Sequence, residues 1–177
     1  MLAGGNTQAA VSYLNAQTQR VENATLSKVC EHPAANAILS GWAARAREKG
    51  IRTEIDAGIP ASLPMDWVSL AGMLANSFEN AVEGCLRCPD ASARFITAKI
   101  AYAVYNGAGK LSIVVENSCA DNIVFENGFP KSQKPGGGTG TRSIQYTAET
   151  YNGIVEFTAE NGIFSMRVLL HLPPSPR

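Results

Sequence analysis

Two asparagines one helical turn apart, Asn76 and Asn80, are the side chains of this sequence best suited to chemistry. Asparagine is a middling helix former because its side chain competes with its own backbone for hydrogen bonds, so such a pair on a helix face is unusual. Amide oxygens are hard, neutral ligands that suit Mg²⁺, an ion that keeps several waters and holds nucleotide phosphates. On its own the pair is more often part of a solvated polar face, and its meaning depends on the rest of the chain.

The asparagines belong to residues 65–86, whose periodicity predicts a long amphipathic helix. At about 100° per residue, the apolar stripe of this helix comprises Trp67, Leu70, Ala71, Leu74, Phe78, Ala81, Val82 and Cys85. The opposite face carries Asn76, Glu79, Asn80 and Glu83. We therefore expect the stripe to pack on a core and the asparagine face to be available to a ligand.

Two later segments place further polar groups after regular elements. Residues 111–117 form an apolar strand that ends in Asn117, and the glycines Gly136, Gly137 and Gly138 precede a helix predicted over residues 139–151. A helix that follows a glycine loop directs its free backbone N–H groups and the positive end of its dipole at an anion. A flexible linker is the alternative interpretation, since glycine triplets are common in linkers.

In this order, the three segments resemble the nucleotide-binding domain shared by sensor histidine kinases, gyrase, the ATP-driven heat-shock chaperones of that fold and the MutL repair proteins. The segment from Asn76 to Ala81 is similar to the asparagine box of that family. Asn117 stands where the family has its adenine-recognising acidic residue. Residues 136–144 are similar to the glycine box, where a loop closes over the phosphates and opens a helix.

Further segments narrow the resemblance to the quorum-sensing and LytTR-associated histidine kinases of Gram-positive bacteria. They are residues 30–39, 44–51, 78–85, 116–118 and 162–164, and the resemblance as a whole covers residues 25–173. The chain departs from the family pattern where Asn117 replaces an acidic residue, Gly137 a frequent histidine and Thr141 a frequent leucine. Because an amide both donates and accepts hydrogen bonds, Asn117 can still address the edge of an adenine.

The resemblance implies ATP as the substrate and Mg²⁺ as the cofactor. Asn80 would be the metal ligand that bridges the triphosphate, and Asn76 would reach a phosphate oxygen or a metal-bound water. Lys131 and Arg142 could neutralise phosphate charge, although solvated surface explains each of them equally well. The implied phosphate loop comprises Gly136, Gly137, Gly138, Thr139, Gly140 and Thr141.

The predicted elements follow the order helix, helix, strand, helix, two strands, an irregular stretch, helix and two strands. This order fits an α/β (α+β) two-layer sandwich, in which a mixed five-stranded sheet carries three helices on one face after an N-terminal helix over residues 6–29. Asn-Gly pairs at residues 106–107 and 161–162 predict hairpin turns. The irregular stretch, residues 119–138, corresponds to the nucleotide lid of the resembling kinases.

We expect three parts in the chain: residues 1–29 as the remnant of a dimerisation hairpin helix, residues 30–173 as the ATP-binding catalytic domain, and residues 174–177 as a tail. In the resembling kinases a histidine in the middle of a hairpin helix accepts the γ-phosphoryl group. His32 stands at a helix start and His171 in the last strand, so we expect the acceptor outside this chain. The implied partners are the histidine-bearing hairpin and a response regulator, within a membrane-anchored homodimer.

The resemblance thus implies the catalytic domain of a two-component sensor histidine kinase, a protein-histidine kinase fragment. Asn76 stands where gyrase-like relatives have a water-activating glutamate, which fits a kinase that must not lose its ATP to water. Two alternatives stay open at this point. One is a serine kinase of the anti-sigma-factor type on the same fold, and the other is a degenerate regulatory module that binds nucleotide or a protein partner without transfer.

The bulk composition of the 177-residue chain excludes several other classes of function. Fifteen basic and 15 acidic residues give a formal net charge of zero, and without a basic run we expect no nucleic-acid partner. No apolar run approaches the roughly 20 residues that span a bilayer, and no leader pattern is visible, so we expect a cytoplasmic location. Among the 4 cysteines only Cys85 and Cys88 form a close pair, whereas a structural zinc site usually has two, so we expect reduced, unpaired thiols.

Overall fold

The computed structural model describes residues 28–120, 123–132 and 138–173. The predicted N-terminal helix, and with it the hairpin remnant over residues 1–29, lies outside these ranges except for its last two residues, which are not helical. The predicted tail, residues 174–177, also lies outside them. Among the described helices, none is both long and apolar enough to cross a membrane.

The described residues form a helical layer and a five-stranded sheet. The helices are α1 (Pro33–Glu48), α2 (Trp67–Arg87) and α3 (Thr139–Thr150), with one 3₁₀ turn at Ala91–Ala93. The strands are β1 (Arg52–Gly58), β2 (Phe95–Tyr105), β3 (Ala108–Ser118), β4 (Phe125–Glu126), β5 (Phe129–Pro130), β6 (Ile154–Glu160) and β7 (Ile163–Leu172). The large sheet has the order β1–β2–β3–β7–β6, in which β1 pairs with β2 in parallel and the other neighbours are antiparallel. The predicted mixed sheet and α/β sandwich are confirmed.

Helix α2 lies over the centre of the sheet and forms the middle of the core. Its Leu74 and Phe78 are fully buried, as are Leu111 and Ile113 on the inward face of β3. Helices α1 and α3 both contact α2, and α3 also contacts β6 and β7. The fold therefore holds α2 and α3 side by side on the sheet.

The apolar stripe of α2 differs from the prediction at its first turn. Trp67 is 61% exposed and Val68 is 56% exposed, whereas burial begins at Leu70. The predicted stripe included Trp67 because its angular position matches that of the buried residues further along the helix. That prediction is wrong because the first turn extends beyond the layer on which α2 packs.

Asn-Gly pairs set the turns between neighbouring strands. Asn106 and Gly107 have φ values of 50° and 79°, and Asn161 and Gly162 have 52° and 74°, which are the left-handed conformations of a tight hairpin. Both predicted hairpins are confirmed. A third pair, at residues 127–128, joins β4 to β5 inside the stretch that the sequence predicts to be irregular. A hairpin forms there although the sequence shows no periodicity, because strands of two residues are too short to show a period.

None of the four cysteines, all of which lie within the described residues, forms a disulfide. Burial raises the pKa of Cys85, whose Sγ donates to the carbonyl oxygen of Phe95 at 3.1 Å. Burial also raises the pKa of Cys30, near the start of the described chain. Both thiols are therefore held in their protonated form and act as small apolar side chains.

Candidate functional site

A cavity of about 270 Å³ lies between α2, the end of β3, the β5 segment and the first turn of α3. It is lined by most of the residues that the sequence analysis selects. These are Asn76, Asn80, Asn117, Lys131, Gly138, Thr139, Gly140 and Thr141. The structure thus brings together side chains from four separate segments, while Gly136 and Gly137 lie outside the described residues.

The half-buried asparagines of α2 face the first turn of α3 across a narrow gap. A Cβ built on Gly140 would lie 3.5 Å from both Nδ2 and Oδ1 of Asn80, and 3.7 Å from Oδ1 of Asn76. The space between the two helices is therefore kept open by a glycine. Amide oxygens at this gap form a donor set that suits Mg²⁺, so the residues present fit the ion that the family implies.

The N-terminus of α3 presents backbone N–H groups to the same gap. Gly138 is the N-cap, with φ of 93°, and no side chain of the described residues caps the helix. The first helical backbone bond joins the N–H of Arg142 to the carbonyl of Gly138 at 3.4 Å, and the hydroxyl of Thr141 donates to that carbonyl at 3.1 Å. The N–H groups of residues 139–141 precede this bond, and a phosphate at such a position is stabilised by them and by the helix dipole.

Asn117 lies at the end of β3, where it is only 1% exposed. Its Nδ2 donates to the carbonyl oxygen of Ser118 at 2.8 Å. Phe164 is its register partner on β7, and Cys119 lies two residues further along the chain. Asn117, Cys119 and Phe164 all line the cavity, so this part combines one buried amide with apolar surface, as a purine ring requires.

The two predicted cations border the same groove, but only one of them also lines the cavity. Lys131, next to the short β5 strand, lines the cavity. Arg142 does not line it but lies on the neighbouring groove, together with Gln145 and Tyr146. Each residue of a helix is rotated by about 100° from the preceding one, so Arg142 projects away from the face that Gly140 presents. Lys131 therefore borders both the cavity and this groove, whereas Arg142 borders the groove alone. That either side chain neutralises phosphate charge stays a prediction.

Several residues that line the cavity were not predicted from the sequence. They include Gly84, Arg87, Cys119, Ile123, Ser132 and Phe164. The sequence does contain an indication for Gly84. A glycine inside a helix costs roughly 1 kcal/mol relative to alanine, which suggests that another part of the chain packs closely against the helix there. A Cβ on Gly84 would lie 2.5 Å from Nδ2 of Asn117, which confirms such an approach.

The fold is shared with solved histidine kinase structures. A mycobacterial sensor histidine kinase, MprB, matches with a TM-score of 0.54 at 13% identity, covering 80% of this chain and 95% of that one. The catalytic domain of histidine kinase ThkA matches with a TM-score of 0.58 at 15% identity, covering 81% and 93%. A histidine kinase from Burkholderia phymatum matches with a TM-score of 0.56 at 17% identity, covering 96% and 86%. At these identities the matches show the fold alone.

Comparisons by sequence give two results, one with single curated proteins and one with models of protein families. No curated protein matches the chain by sequence. The narrower assignment to the quorum-sensing and LytTR-associated kinases stays a prediction. The model of the GHKL domain matches residues 65–171, which is more than half of the chain. The match spans α2, the end of β3 and the first turn of α3, and the chain therefore belongs to the GHKL domain family.

Proposed function

We propose that this chain is the ATP-binding catalytic domain of a two-component sensor histidine kinase, which binds Mg-ATP and directs the γ-phosphoryl group to a histidine outside the described residues. The observation that carries the proposal is the gap between α2 and α3. There the amides of Asn76 and Asn80 face an uncapped helix N-terminus across a glycine. A triphosphate in this gap would meet backbone N–H groups on one side and amide oxygens on the other.

Each residue of the gap has a role that follows from its chemistry. Asn80 is the ligand for Mg²⁺, and the ion supplies neutralisation of phosphate charge when it is bound. Asn76 contacts a phosphate oxygen or an ordered water. Lys131, next to β5, contributes a positive charge at the edge of the cavity. In this arrangement the protein positions the phosphates and neutralises their charge, which is how phosphoryl transfer is chiefly catalysed.

The side chains of the gap support phosphoryl transfer over ATP hydrolysis. An amide has no basic site, so Asn76 cannot take a proton from an attacking water. Glu79 and Glu83 also line the cavity, and Arg87 lies 3.8 Å from the carboxylate of Glu83. Neither carboxylate stands one turn before Asn80, the place that the water-activating glutamate has in gyrase-like relatives. We expect slow hydrolysis of bound ATP and faster transfer to a correctly presented acceptor.

The acceptor is expected on a partner segment, because neither histidine of the chain is presented on an exposed helix face. Nδ1 of His32 accepts from the N–H of Ala35 at 3.3 Å and caps α1, and the residue is 8% exposed. His171 lies in β7. We therefore infer a histidine-bearing hairpin and a response regulator as partners, and a cytoplasmic position within a membrane-anchored homodimer.

Calorimetric titration tests the binding step. Mg-ATP should bind, removal of Mg²⁺ should weaken binding, and Asn80→Ala should abolish the dependence on Mg²⁺ while the fold persists. The matched control is Gln145→Ala, which removes an amide from the exposed face of α3, outside the cavity. Unchanged Mg-ATP affinity in Asn80→Ala would remove this residue from the site.

A transfer assay tests the reaction and separates it from its alternatives. With γ-labelled Mg-ATP, the chain alone should carry no acid-labile, base-stable label. A hairpin peptide that carries a histidine should acquire such a label, slowly because the two parts are not tethered. Acid-stable label on a serine-bearing partner would identify a serine kinase instead, and binding without transfer to either partner would identify a regulatory module.

A further inference from the structure

We propose that Gly84 is a positioning residue for base selection: together with the carbonyl of Ser118, it locks the Asn117 amide so that only its oxygen is available to the cavity. The locked site then selects a 6-aminopurine nucleotide over a 6-oxopurine nucleotide. The inference rests on the proposed function, because it assumes that the base of the nucleotide lies against Asn117.

An unrestrained asparagine would not discriminate between these bases. Its amide can turn over, so it can accept from the amino group of adenine or donate to the carbonyl of guanine. Here Nδ2 of Asn117 donates to the carbonyl oxygen of Ser118 at 2.8 Å. A carbonyl oxygen can only accept, so this contact requires the nitrogen of the amide to face Ser118. The nitrogen has a second N–H, but Nδ2 also packs directly against Gly84, which leaves little room for a base to reach it. Oδ1 is then the atom that Asn117 can offer to a base.

Gly84 provides the space that this orientation needs. A Cβ on Gly84 would lie 2.5 Å from Nδ2 and 3.5 Å from Cγ of Asn117, and 3.8 Å from the carbonyl oxygen of Ser118. Any side chain at position 84 would therefore displace the amide nitrogen from its partner. The glycine is not required by its backbone conformation, since it lies inside α2 and has no positive φ. It is explained by the amide that packs against it.

Ser118 is itself held in place by a buried network. Its Oγ accepts from the N–H of Phe95 at 3.2 Å and donates to Sγ of Cys85 at 3.4 Å. Sγ of Cys85 donates to the carbonyl of Phe95 at 3.1 Å. These bonds join α2, β2 and β3 around the residue whose carbonyl holds the amide. Because the partner of Nδ2 cannot move freely, reversing the amide would leave two oxygens facing each other at hydrogen-bonding distance.

The expected selectivity follows from the unpaired groups that the wrong base would create. Adenine presents a donor at position 6, which pairs with a locked oxygen acceptor. Guanine presents an acceptor there, so two buried acceptors would meet without a proton between them. A mismatch of this kind costs about 1–3 kcal/mol, which corresponds to roughly a tenfold to hundredfold preference for ATP over GTP.

The test compares Mg-ATP with Mg-GTP in three proteins by calorimetry. The unsubstituted chain should prefer ATP by at least about tenfold. Gly84→Ala should reduce this preference by about tenfold, because the displaced amide can then present either group. Gly72→Ala is the matched control, since it lies on the same helix and its Cβ would meet nothing within 4 Å. It should keep the preference of the unsubstituted chain.

A second measurement keeps the proposal testable if Gly84→Ala does not fold. Purine ribonucleoside triphosphate lacks the 6-amino group, so the unsubstituted chain should bind it at least about fivefold more weakly than ATP. Asn117→Ala should bind the two nucleotides equally. Equal affinity of the unsubstituted chain for ATP and GTP, or an unchanged preference in folded Gly84→Ala, would overturn the inference alone. Absence of any ATP binding to the unsubstituted chain would overturn the proposed function as well.

Discussion

Gly140→Ala should separate stability from nucleotide binding, because the two effects of the added methyl group have opposite signs. Gly140 is the second residue of α3, has no positive φ and faces the asparagine pair of α2. Alanine is therefore compatible with its backbone. The added Cβ would lie 3.5 Å from Asn80 and 3.7 Å from Asn76, which is ordinary van der Waals contact. We expect the variant to fold.

The magnitudes follow from helix propensity and from the size of the gap. Alanine stabilises a helix by up to about 1 kcal/mol relative to glycine, which raises the melting temperature of a domain of this size by roughly 2–4 °C. A ligand oxygen that bonds to the amide of Asn80 must approach to about 3 Å, and the methyl group would occupy that space. We expect the affinity for Mg-ATP to fall by at least about tenfold, or about 1.4 kcal/mol.

Differential scanning calorimetry and nucleotide titration on the same samples measure both effects. Gly72→Ala is again the control, because it gains helix propensity in open space and should keep the affinity for Mg-ATP. If Gly140→Ala bound Mg-ATP as tightly as the unsubstituted chain, the phosphates could not lie between α3 and the asparagines. The central element of the proposed site would then be wrong.

Three further predictions concern a helix cap, a packed glycine and the buried amide. Asp66 accepts hydrogen bonds from the N–H and the hydroxyl of Ser69, which lowers the pKa of its carboxyl. Its contribution to stability should therefore be present above the ordinary aspartate range and lost as pH falls through the lowered pKa. Thermal melts of Asp66→Ala should lack this loss at acid pH. Gly153→Ala should lower the free energy of unfolding by about 1–3 kcal/mol in urea titrations, because its Cβ would collide with the carbonyl oxygen of Leu169. Asn117→Asp should destabilise the fold increasingly as pH rises, since an ionised carboxylate would face a carbonyl oxygen; a deficit in the melting temperature that is independent of pH would contradict this.

The placement of residues that the sequence predicts correctly is the placement that local rules determine. The period of a helix fixes which residues share a face, so the sequence alone predicts Asn76 and Asn80 on one side of α2. Turn chemistry is equally local, and the Asn-Gly pair at residues 106–107 marks a hairpin regardless of what packs around it. The same rules fail at Trp67, because periodicity describes the direction of a side chain and not whether a neighbouring layer is present there.

The parts that the sequence does not predict depend on distances between segments. Arg142 is close to the phosphate loop along the chain, but only the structure shows that it borders the groove beside the cavity and not the cavity itself. Gly84 and Asn117 are separated by a helix end and two strands, so their contact follows from the packing of α2 on β3 and not from any local pattern. The glycine signals that something approaches the helix closely, and the structure identifies it as the amide of Asn117. The nitrogen of that amide is bonded to Ser118, and its oxygen is left for the base. Base selection then depends on the contact between Gly84 and Asn117, so a substitution at position 84 or position 117 should alter it.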